Sequence, residues 1–193
     1  MNISTKRIQA ELRKVQNSKI DDISLDLFSD NDFTHLKGSF SGFENTPYEG
    51  GKYEIDIKIP EDFPFKPPKL TFKTHVWHPN VSSATGYICL DLLKEGQWAP
   101  AVSLINVLTS IKTLLILAQP DDPQDAMVAA QYMRDQKCFE KTASFWNYEY
   151  AGGPYKEEFY QFEEKIKFVM KTGLDRDSSI HHLSMTDWKV DHV

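Results

Sequence analysis

The residues that decide both the fold and the chemistry stand in one stretch, 75–93, which reads HVWHPNVSSATGYICLDLL. Within it, the tripeptide His78-Pro79-Asn80 precedes Cys89, which follows nine residues after Asn80. A thiolate is a good nucleophile and a good leaving group, and a neutral amide can stabilise an oxyanion. Taken alone, Cys89 is better explained as a small buried hydrophobe, because its immediate neighbours are apolar. The surrounding sequence has to separate these two interpretations.

On the N-terminal side of this stretch, apolar residues alternate with polar ones, as they do in half-buried strands. The clearest run is 53–59, and residues 23–27 and 70–76 predict two more strands. Breaks that contain Pro and Gly, such as 46–51, separate the runs. Short connections of this kind favour an antiparallel meander.

On the C-terminal side the apolar period becomes helical. Ser103 is a plausible N-cap for an apolar helix that stops at Pro120, and a later helix is expected to end at residues 152–154. A first helix is predicted near the N-terminus, with Ile8 on its apolar face. A helix, a run of strands and then helices make an α+β fold, without the alternation of a doubly wound sheet.

The composition excludes several classes of protein. Hydrophobic residues make up 40% and charged residues 26%, as in a globular protein. The net charge of -6 gives no general support to a nucleic acid partner, and no apolar run is long enough to predict a membrane partner. Cys89 and Cys138 are too few for a disulfide framework or a zinc site, so no metal is expected and a cytoplasmic or nuclear location fits best.

The His-Pro-Asn tripeptide and the Ile-Cys-Leu-Asp context at 88–91 resemble the catalytic core of ubiquitin-conjugating enzymes. Residues 47–51, 64–68 and 120–123 are similar to that family as well, as is Trp98. The resemblance covers roughly residues 5–151. It implies the ubiquitin-conjugating fold, with an N-terminal helix, a four-stranded antiparallel meander and C-terminal helices.

The same resemblance assigns roles to three residues. Cys89 would accept ubiquitin as a thioester from the activating enzyme, and Asn80 would stabilise the oxyanion formed when a lysine attacks. Asp122 would orient and deprotonate that lysine, although an Asp-Asp-Pro turn also explains its position. No cofactor is implied, because ATP is used by the activating enzyme.

Other interpretations of these residues remain open at this stage. His78 could pair with Cys89 in a hydrolase, whereas the family context gives His78 and Pro79 a structural role at the active site. Cys138 has no comparable surroundings and is expected to pack. The chain could also be a catalytically silent ubiquitin-binding module, or a conjugating enzyme for another ubiquitin-like modifier.

The resemblance also implies partner surfaces. Besides ubiquitin and protein substrates, these partners are RING-type ubiquitin ligases and the activating enzyme. The ligase-binding residues would be Phe65, Pro100 and Ala101, although core packing is an alternative for Phe65. The activating enzyme would dock on the basic face of the first helix, which carries Lys6, Arg7 and Lys14.

A boundary is predicted at residue 153, between a catalytic core at 1–153 and a linker and helical tail at 154–193. The tail resembles the ubiquitin-associated domain of the huntingtin-interacting subtype, which implies chains linked through lysine 48 of ubiquitin. It has Thr172-Gly173-Leu174 where that domain usually carries Met-Gly-Phe, so a truncated or degenerate domain is expected. A packing segment without binding activity is the alternative. The loop at 94–97 is one residue longer than is usual in the family.

Overall fold

The computed structural model describes residues 3–17, 22–94 and 96–190. Its first half holds one helix and four strands: α1 (Ile3–Asn17), β1 (Ile23–Leu27), β2 (His35–Ser41), β3 (Lys52–Lys58) and β4 (Lys69–Phe72). The second half is helical: α2 (Leu104–Leu114), α3 (Ala126–Arg134), α4 (Gln136–Ala151), α5 (Phe159–Met170) and α6 (Arg176–Met185). The predicted α+β class is confirmed.

The four strands form one antiparallel sheet in the order β1-β2-β3-β4, which is the predicted meander. Alternate residues of β3 face the core, where Tyr53, Ile55 and Ile57 are fully buried. Two sequence predictions need correction. The alternation pattern does not predict strand β2, and β4 ends at Phe72, so Val76 lies in the loop that leads to the His78-Pro79-Asn80 tripeptide.

Helix α2 packs across the core face of the sheet. Ser103 caps it as predicted, since its hydroxyl accepts a hydrogen bond from the Asn106 amide at 3.2 Å. The helix ends at Leu114 rather than continuing towards Pro120. Gly38 permits the close approach, because a Cβ atom at this position would lie 2.7 Å from a methyl group of Leu108.

Helix α4 ends at Ala151, and Gly152 follows it in the left-handed conformation with φ 73°. The predicted boundary falls here, yet apolar packing continues across it. The ring of Phe145 in α4 lies 5.4 Å from that of Phe159 and 5.2 Å from that of Trp188. Whether residues 154–190 form a separate domain stays a prediction, while their buried side chains belong to the same apolar cluster as the core.

A charged clasp also joins the tail to α4. The Arg176 guanidinium donates to both carboxylate oxygens of Glu149 and to both of Glu163. These hydrogen bonds raise the pKa of Arg176 and lower that of Glu163. None of the helices in the described ranges has the length and apolar character needed to cross a bilayer.

Candidate active site

The His-Pro-Asn tripeptide forms a tight turn next to the sheet. The Val81 amide donates to the carbonyl of His78 at 3.1 Å, and the Asn80 amide donates to the ring Nδ1 of His78, also at 3.1 Å. The Pro79 carbonyl accepts hydrogen bonds from the amides of Gln124 and Asp125, each at 2.9 Å. Hydrogen bonds within the turn therefore fix its conformation, and the bonds to Pro79 join it to the segment that carries Asp122.

The Asn80 side chain is fully engaged within the protein. Its Nδ2 donates to the carbonyls of Gln119 at 2.9 Å and Asp122 at 3.0 Å. Its Oδ1 accepts a hydrogen bond from the Gln119 amide at 2.8 Å. A buried amide with all of these partners is a rigid link, so Asn80 fastens the Asp122 loop to the catalytic turn.

Cys89 lies beside Asn80 through the backbone. Its amide donates to the Asn80 carbonyl at 2.9 Å, and an isolated bridge joins Val81 to Ile88 just before it. The Cys89 residue is partly exposed, and its thiol is free. The predicted nucleophile and the predicted amide donor thus lie on two paired segments.

Three charged side chains surround the thiol. A short 3-10 helix, Asp91–Leu93, begins two residues after Cys89, and Lys94 follows it. The Lys94 ammonium contacts Asp91 at 2.7 Å and Asp122 at 2.9 Å. Glu95, one of the residues of the loop at 94–97 that was predicted to be one residue longer than usual, lies outside the described part of the chain.

These charges act on Cys89 in opposite directions. Partial burial raises the pKa of the thiol above its ordinary value, because the thiolate loses solvation. Lys94 lowers the pKa, whereas Asp122 and Asp91 raise it. Cys89 is therefore mainly a thiol in the resting protein at neutral pH, and Lys94 is the nearby group that favours its thiolate.

His78 does not have the properties of a general base. Its side chain is completely buried, and burial lowers its pKa to about 3. A base with that pKa takes up a proton poorly at neutral pH. The geometry agrees with the structural role that the resemblance gave to His78 and Pro79, and it disfavours a Cys-His hydrolase.

Sequence reasoning missed the links between the catalytic stretch and the tail. Trp77 donates its indole N–H to the side-chain oxygen of Gln131 at 2.8 Å. The Gln131 amide nitrogen in turn donates to the Ser184 carbonyl at 3.1 Å and to Asp187 at 3.0 Å. No local pattern marks Gln131, because its partners come from distant parts of the chain.

A second link runs through Ser83, which lies between the tripeptide and Cys89. Its hydroxyl is 2.7 Å from the Asp125 carboxylate and 3.1 Å from Nε2 of His181 in α6. Burial lowers the pKa of His181. No group of three or more His, Cys, Asp or Glu side chains that could hold a metal ion occurs within the described ranges.

The predicted ligase surface is exposed. Phe65 is 67% exposed, which rules out the core-packing alternative, and Pro100 and Ala101 are exposed as well. The indole N–H of Trp98 donates to the Pro64 carbonyl at 2.7 Å, so the two loops that carry these residues are joined.

Of the three predicted basic residues on α1, Lys6 and Lys14 are exposed. Arg7 is occupied instead. Its guanidinium donates to the carbonyls of Pro100 at 3.1 Å and Val102 at 2.9 Å, and to Glu11 at 2.8 Å. Arg7 therefore holds the loop of the predicted ligase surface against α1, an intrachain role that the sequence did not reveal.

Glu11 links Arg7 to the start of α2. It is only 4% exposed, and its second carboxylate oxygen accepts a hydrogen bond from the Leu104 amide at 3.2 Å. This amide lies in the first turn of α2, where a negative charge is favoured by the helix dipole. Arg7 and Glu11 together fix the loop that runs from Pro100 to α2.

Comparison with known sequences agrees with this site. Residues 7–147 match the family described as "Ubiquitin-conjugating enzyme". The human protein "Ubiquitin-conjugating enzyme E2 K" is 46% identical over 98% of this chain and 94% of its own length. The Arabidopsis thaliana protein "Ubiquitin-conjugating enzyme E2 27" is 45% identical over 89% of this chain and 85% of its own length.

Solved structures give the same result. A Plasmodium yoelii crystal structure described as a ubiquitin conjugating enzyme aligns with a TM-score of 0.74 and 45% identity, covering 80% of this chain and 99% of that one. The E2 domain of a Toxoplasma gondii ubiquitin conjugating enzyme aligns at 0.70 and 40%, covering 76% and 98%. The chain belongs to the ubiquitin-conjugating enzyme family, whose members are transferases that form thioester intermediates.

The predicted family, its huntingtin-interacting subtype and the ubiquitin-conjugating fold are thereby confirmed. Membership implies ubiquitin, an activating enzyme and ubiquitin ligases as partners.

Proposed function

We propose that Cys89 is the residue that carries ubiquitin. The observation that supports this assignment most directly is the backbone hydrogen bond from Cys89 to Asn80, which sets a partly exposed thiol next to the catalytic turn. Cys138 is the matched contrast. It is one position from the buried Phe139, and its sulfur accepts a weak hydrogen bond from Gln131 at 3.6 Å.

The reaction has two transfers. In the first, the Cys89 thiolate attacks the carbonyl carbon of the thioester between ubiquitin and the activating enzyme. The cysteine thiolate of the activating enzyme leaves. In the second, a lysine amine attacks the new thioester, the carbon–nitrogen bond forms and the carbon–sulfur bond breaks. Cys89 leaves as a thiolate, and the proton lost by the amine passes to solvent by way of Asp122.

Asp122 suits this role because its carboxylate stands at the rim beside Cys89 and is 66% exposed. An incoming lysine is protonated in water and must lose a proton before it attacks. A carboxylate at the rim orients the ammonium group and favours its approach. The Asp-Asp-Pro turn was the other explanation for the position of Asp122. The two explanations are compatible, because the turn presents the Asp122 carboxylate to solvent.

Asn80 has two roles in this proposal. In the resting enzyme it holds the Asp122 loop through its contacts with Gln119 and Asp122. To donate to an oxyanion it exchanges one of these hydrogen bonds for the developing charge, which is the stronger acceptor. Substituting Asn80 is therefore expected to affect the position of Asp122 as well as the oxyanion.

The proposed partner surfaces are those whose predicted binding side chains are exposed. RING-type ligases are proposed to bind the surface of Phe65, Pro100 and Ala101, where exposed apolar groups suit a reversible interface. The activating enzyme is proposed to use Lys6 and Lys14, with Arg7 supporting the ligase loop. Two free cysteines suit a reducing compartment, such as the cytosol or the nucleus.

Chains linked through lysine 48 of ubiquitin are proposed from the subtype. Ubiquitin binding by the tail is a separate proposal, supported by the exposure of Met170 and Leu174 around the α5–α6 loop. It is best tested on the whole chain, because Phe159 and Trp188 would lose their partner Phe145 in an isolated tail. An NMR titration with ubiquitin that moves no α5–α6 resonances would rule it out.

A thioester assay tests the central proposal. Purified protein, ubiquitin, activating enzyme and ATP are combined, and adducts are compared on gels with and without reductant. A reductant-sensitive adduct that is lost in Cys89→Ala and retained in Cys138→Ala is expected. Loss in Cys138→Ala alone would contradict the assignment. Repeating the assay with another ubiquitin-like modifier and its own activating enzyme tests whether the chain conjugates that modifier instead. If the wild type forms no adduct with ubiquitin, the result favours a catalytically silent ubiquitin-binding module.

A further inference from the structure

Lys94 makes contacts that the proposed reaction does not use. Its ammonium group lies between two carboxylates, 2.7 Å from Asp91 and 2.9 Å from Asp122. The two acids are on different segments, since Asp91 lies two residues after Cys89 and Asp122 is held by Asn80 through its backbone carbonyl. The side chain thus spans the rim next to the thiol.

Lys94 and the acceptor lysine bring the same chemical group to Asp122. An acceptor lysine also brings an ammonium group at the end of a flexible four-carbon chain, and it needs the Asp122 carboxylate. Both ammonium groups cannot occupy the same hydrogen-bonding position on Asp122. Lys94 therefore competes with the acceptor for this carboxylate, where it already holds Oδ2.

We infer that Lys94 is an internal substitute for the acceptor lysine, which holds Asp122 in the resting enzyme and yields it when an acceptor arrives. The inference rests on the proposed role of Asp122. It makes Lys94 a positioning residue for the transfer step.

Asp91 gives the displaced ammonium group a second partner. Lys94 already contacts Asp91, so it can release Asp122 without leaving the rim. Its positive charge then stays near Cys89, where it favours the thiolate that leaves during transfer. The hydrogen bonds to Asp91 and Asp122 also raise the pKa of Lys94, which keeps it charged throughout.

Removing the charge has two opposite consequences. In Lys94→Gln the acceptor no longer competes for Asp122, which accelerates transfer at low acceptor concentration. The Cys89 thiolate loses a nearby cation, which slows both charging at neutral pH and departure of the thiolate. The two consequences can be separated because only the first depends on the Asp122 carboxylate.

The experiment is single-turnover discharge of the purified thioester to free L-lysine, read as kcat/KM for lysine. It compares Lys94→Gln with its parent in two backgrounds, wild type and Asp122→Asn. The factor by which Lys94→Gln changes kcat/KM is expected to be about threefold larger in the wild-type background than in Asp122→Asn. This is the size expected for a solvent-exposed ion pair. Lys94→Arg keeps the charge and should behave like the wild type. Lys167→Gln, which removes a lysine paired with Glu164 in α5, is the control for general charge.

The outcomes are distinct. An effect of Lys94→Gln that is equal in both backgrounds overturns the inference, as does a failure of Lys94→Arg to restore wild-type behaviour. If Asp122→Asn itself leaves discharge unchanged, the proposed role of Asp122 fails and the inference falls with it. If the wild type forms no thioester on Cys89, the proposed function fails first, which the charging gel shows before any discharge is measured.

Discussion

The indole of Trp77 and the side chain of Gln131 form a buried hydrogen bond of 2.8 Å directly behind the catalytic turn. Trp77 precedes His78, and Gln131 is also bound to Ser184 and Asp187 of the tail. One carboxamide thus satisfies polar groups of the active-site segment and of the C-terminal helices together. This makes the tail part of the structural support of the active site.

Replacing Gln131 by Leu is expected to lower the free energy of unfolding by about 2–3 kcal/mol, because Trp77 and Ser184 keep buried polar groups without partners. Urea denaturation followed by circular dichroism measures the change. Gln136→Leu is the matched control, since Gln136 is exposed and is expected to change stability little. Equal stability of the two variants would contradict the bridging role.

Deleting residues 154–193 tests whether the core is independent. The shortened chain would expose the faces of Phe145 and Trp146 that the tail covers, so we expect a loss of roughly 3 kcal/mol or more. A thermal unfolding midpoint unchanged from that of the full chain would instead support a self-contained domain that ends at residue 153.

Stability is expected to fall in mild acid because of His78. Its pKa is about 3 in the folded protein and ordinary in the unfolded chain, so the unfolded state binds more protons below about pH 6.5. Stability is full above that pH and is lost as pH falls towards 3, with a slope of at most about 1.4 kcal/mol per pH unit from this group.

His181 adds to the slope in the same direction, since its pKa is also lowered. Denaturation between pH 5 and 6.5 avoids most carboxylate titration. His78→Asn, which keeps an acceptor for the Asn80 amide, should show a shallower slope than the wild type. An identical slope would mean that His78 is not neutral and buried in solution.

The reactivity of Cys89 should depend on its acidic neighbours. Asp122 and Asp91 raise the pKa of the thiol, so replacing either by Asn removes a negative charge and should lower the pH midpoint of alkylation. Iodoacetamide rates across pH, read by mass spectrometry at Cys89, provide the measurement. A midpoint that moves upward in both variants would show that these carboxylates do not act through their charge.

Arg7→Ala is expected to slow ligase-stimulated discharge more than it slows charging. The substitution removes the donors to Pro100 and Val102 and leaves the buried Glu11 without its cation, at a cost of about 1–3 kcal/mol in stability. Rates are measured with a RING domain that stimulates the wild type.

Lys6→Ala is the comparison for Arg7, because Lys6 is exposed on the same helix. It should slow charging and leave ligase stimulation unchanged. If Arg7→Ala and Lys6→Ala have the same pattern of effects, Arg7 acts with the docking surface for the activating enzyme rather than as a support for the ligase loop.

Local features of this protein could be predicted from sequence, and long-range ones could not. The Ser103 cap and the left-handed Gly152 depend on residues within a few positions, so their signals are readable. Strand β2 was missed because Gly38 interrupts its pattern, and the need for glycine comes from Leu108 in a distant helix.

The same limit applies to the site. Cys89, His78 and Asn80 stand in one motif, so a resemblance could identify them together. Arg7 was predicted to lie on the docking face for the activating enzyme, because nothing near it in sequence reveals that its side chain binds Pro100 and Val102. Side chains whose roles depend on tertiary contacts carry no sequence pattern of their own.

The contact between tail and core has an optical consequence. The protein has four tryptophans, and three of them line this contact: Trp77 lies 5.0 Å from Trp146 between ring centroids, and Trp188 stacks on Phe162 at 3.9 Å. Trp98 stands apart, next to the loops that are proposed to bind a ligase. Intrinsic fluorescence will therefore report mainly on whether the tail is docked, and a red shift of its emission can serve as a label-free signal for undocking when ubiquitin or a partner is added.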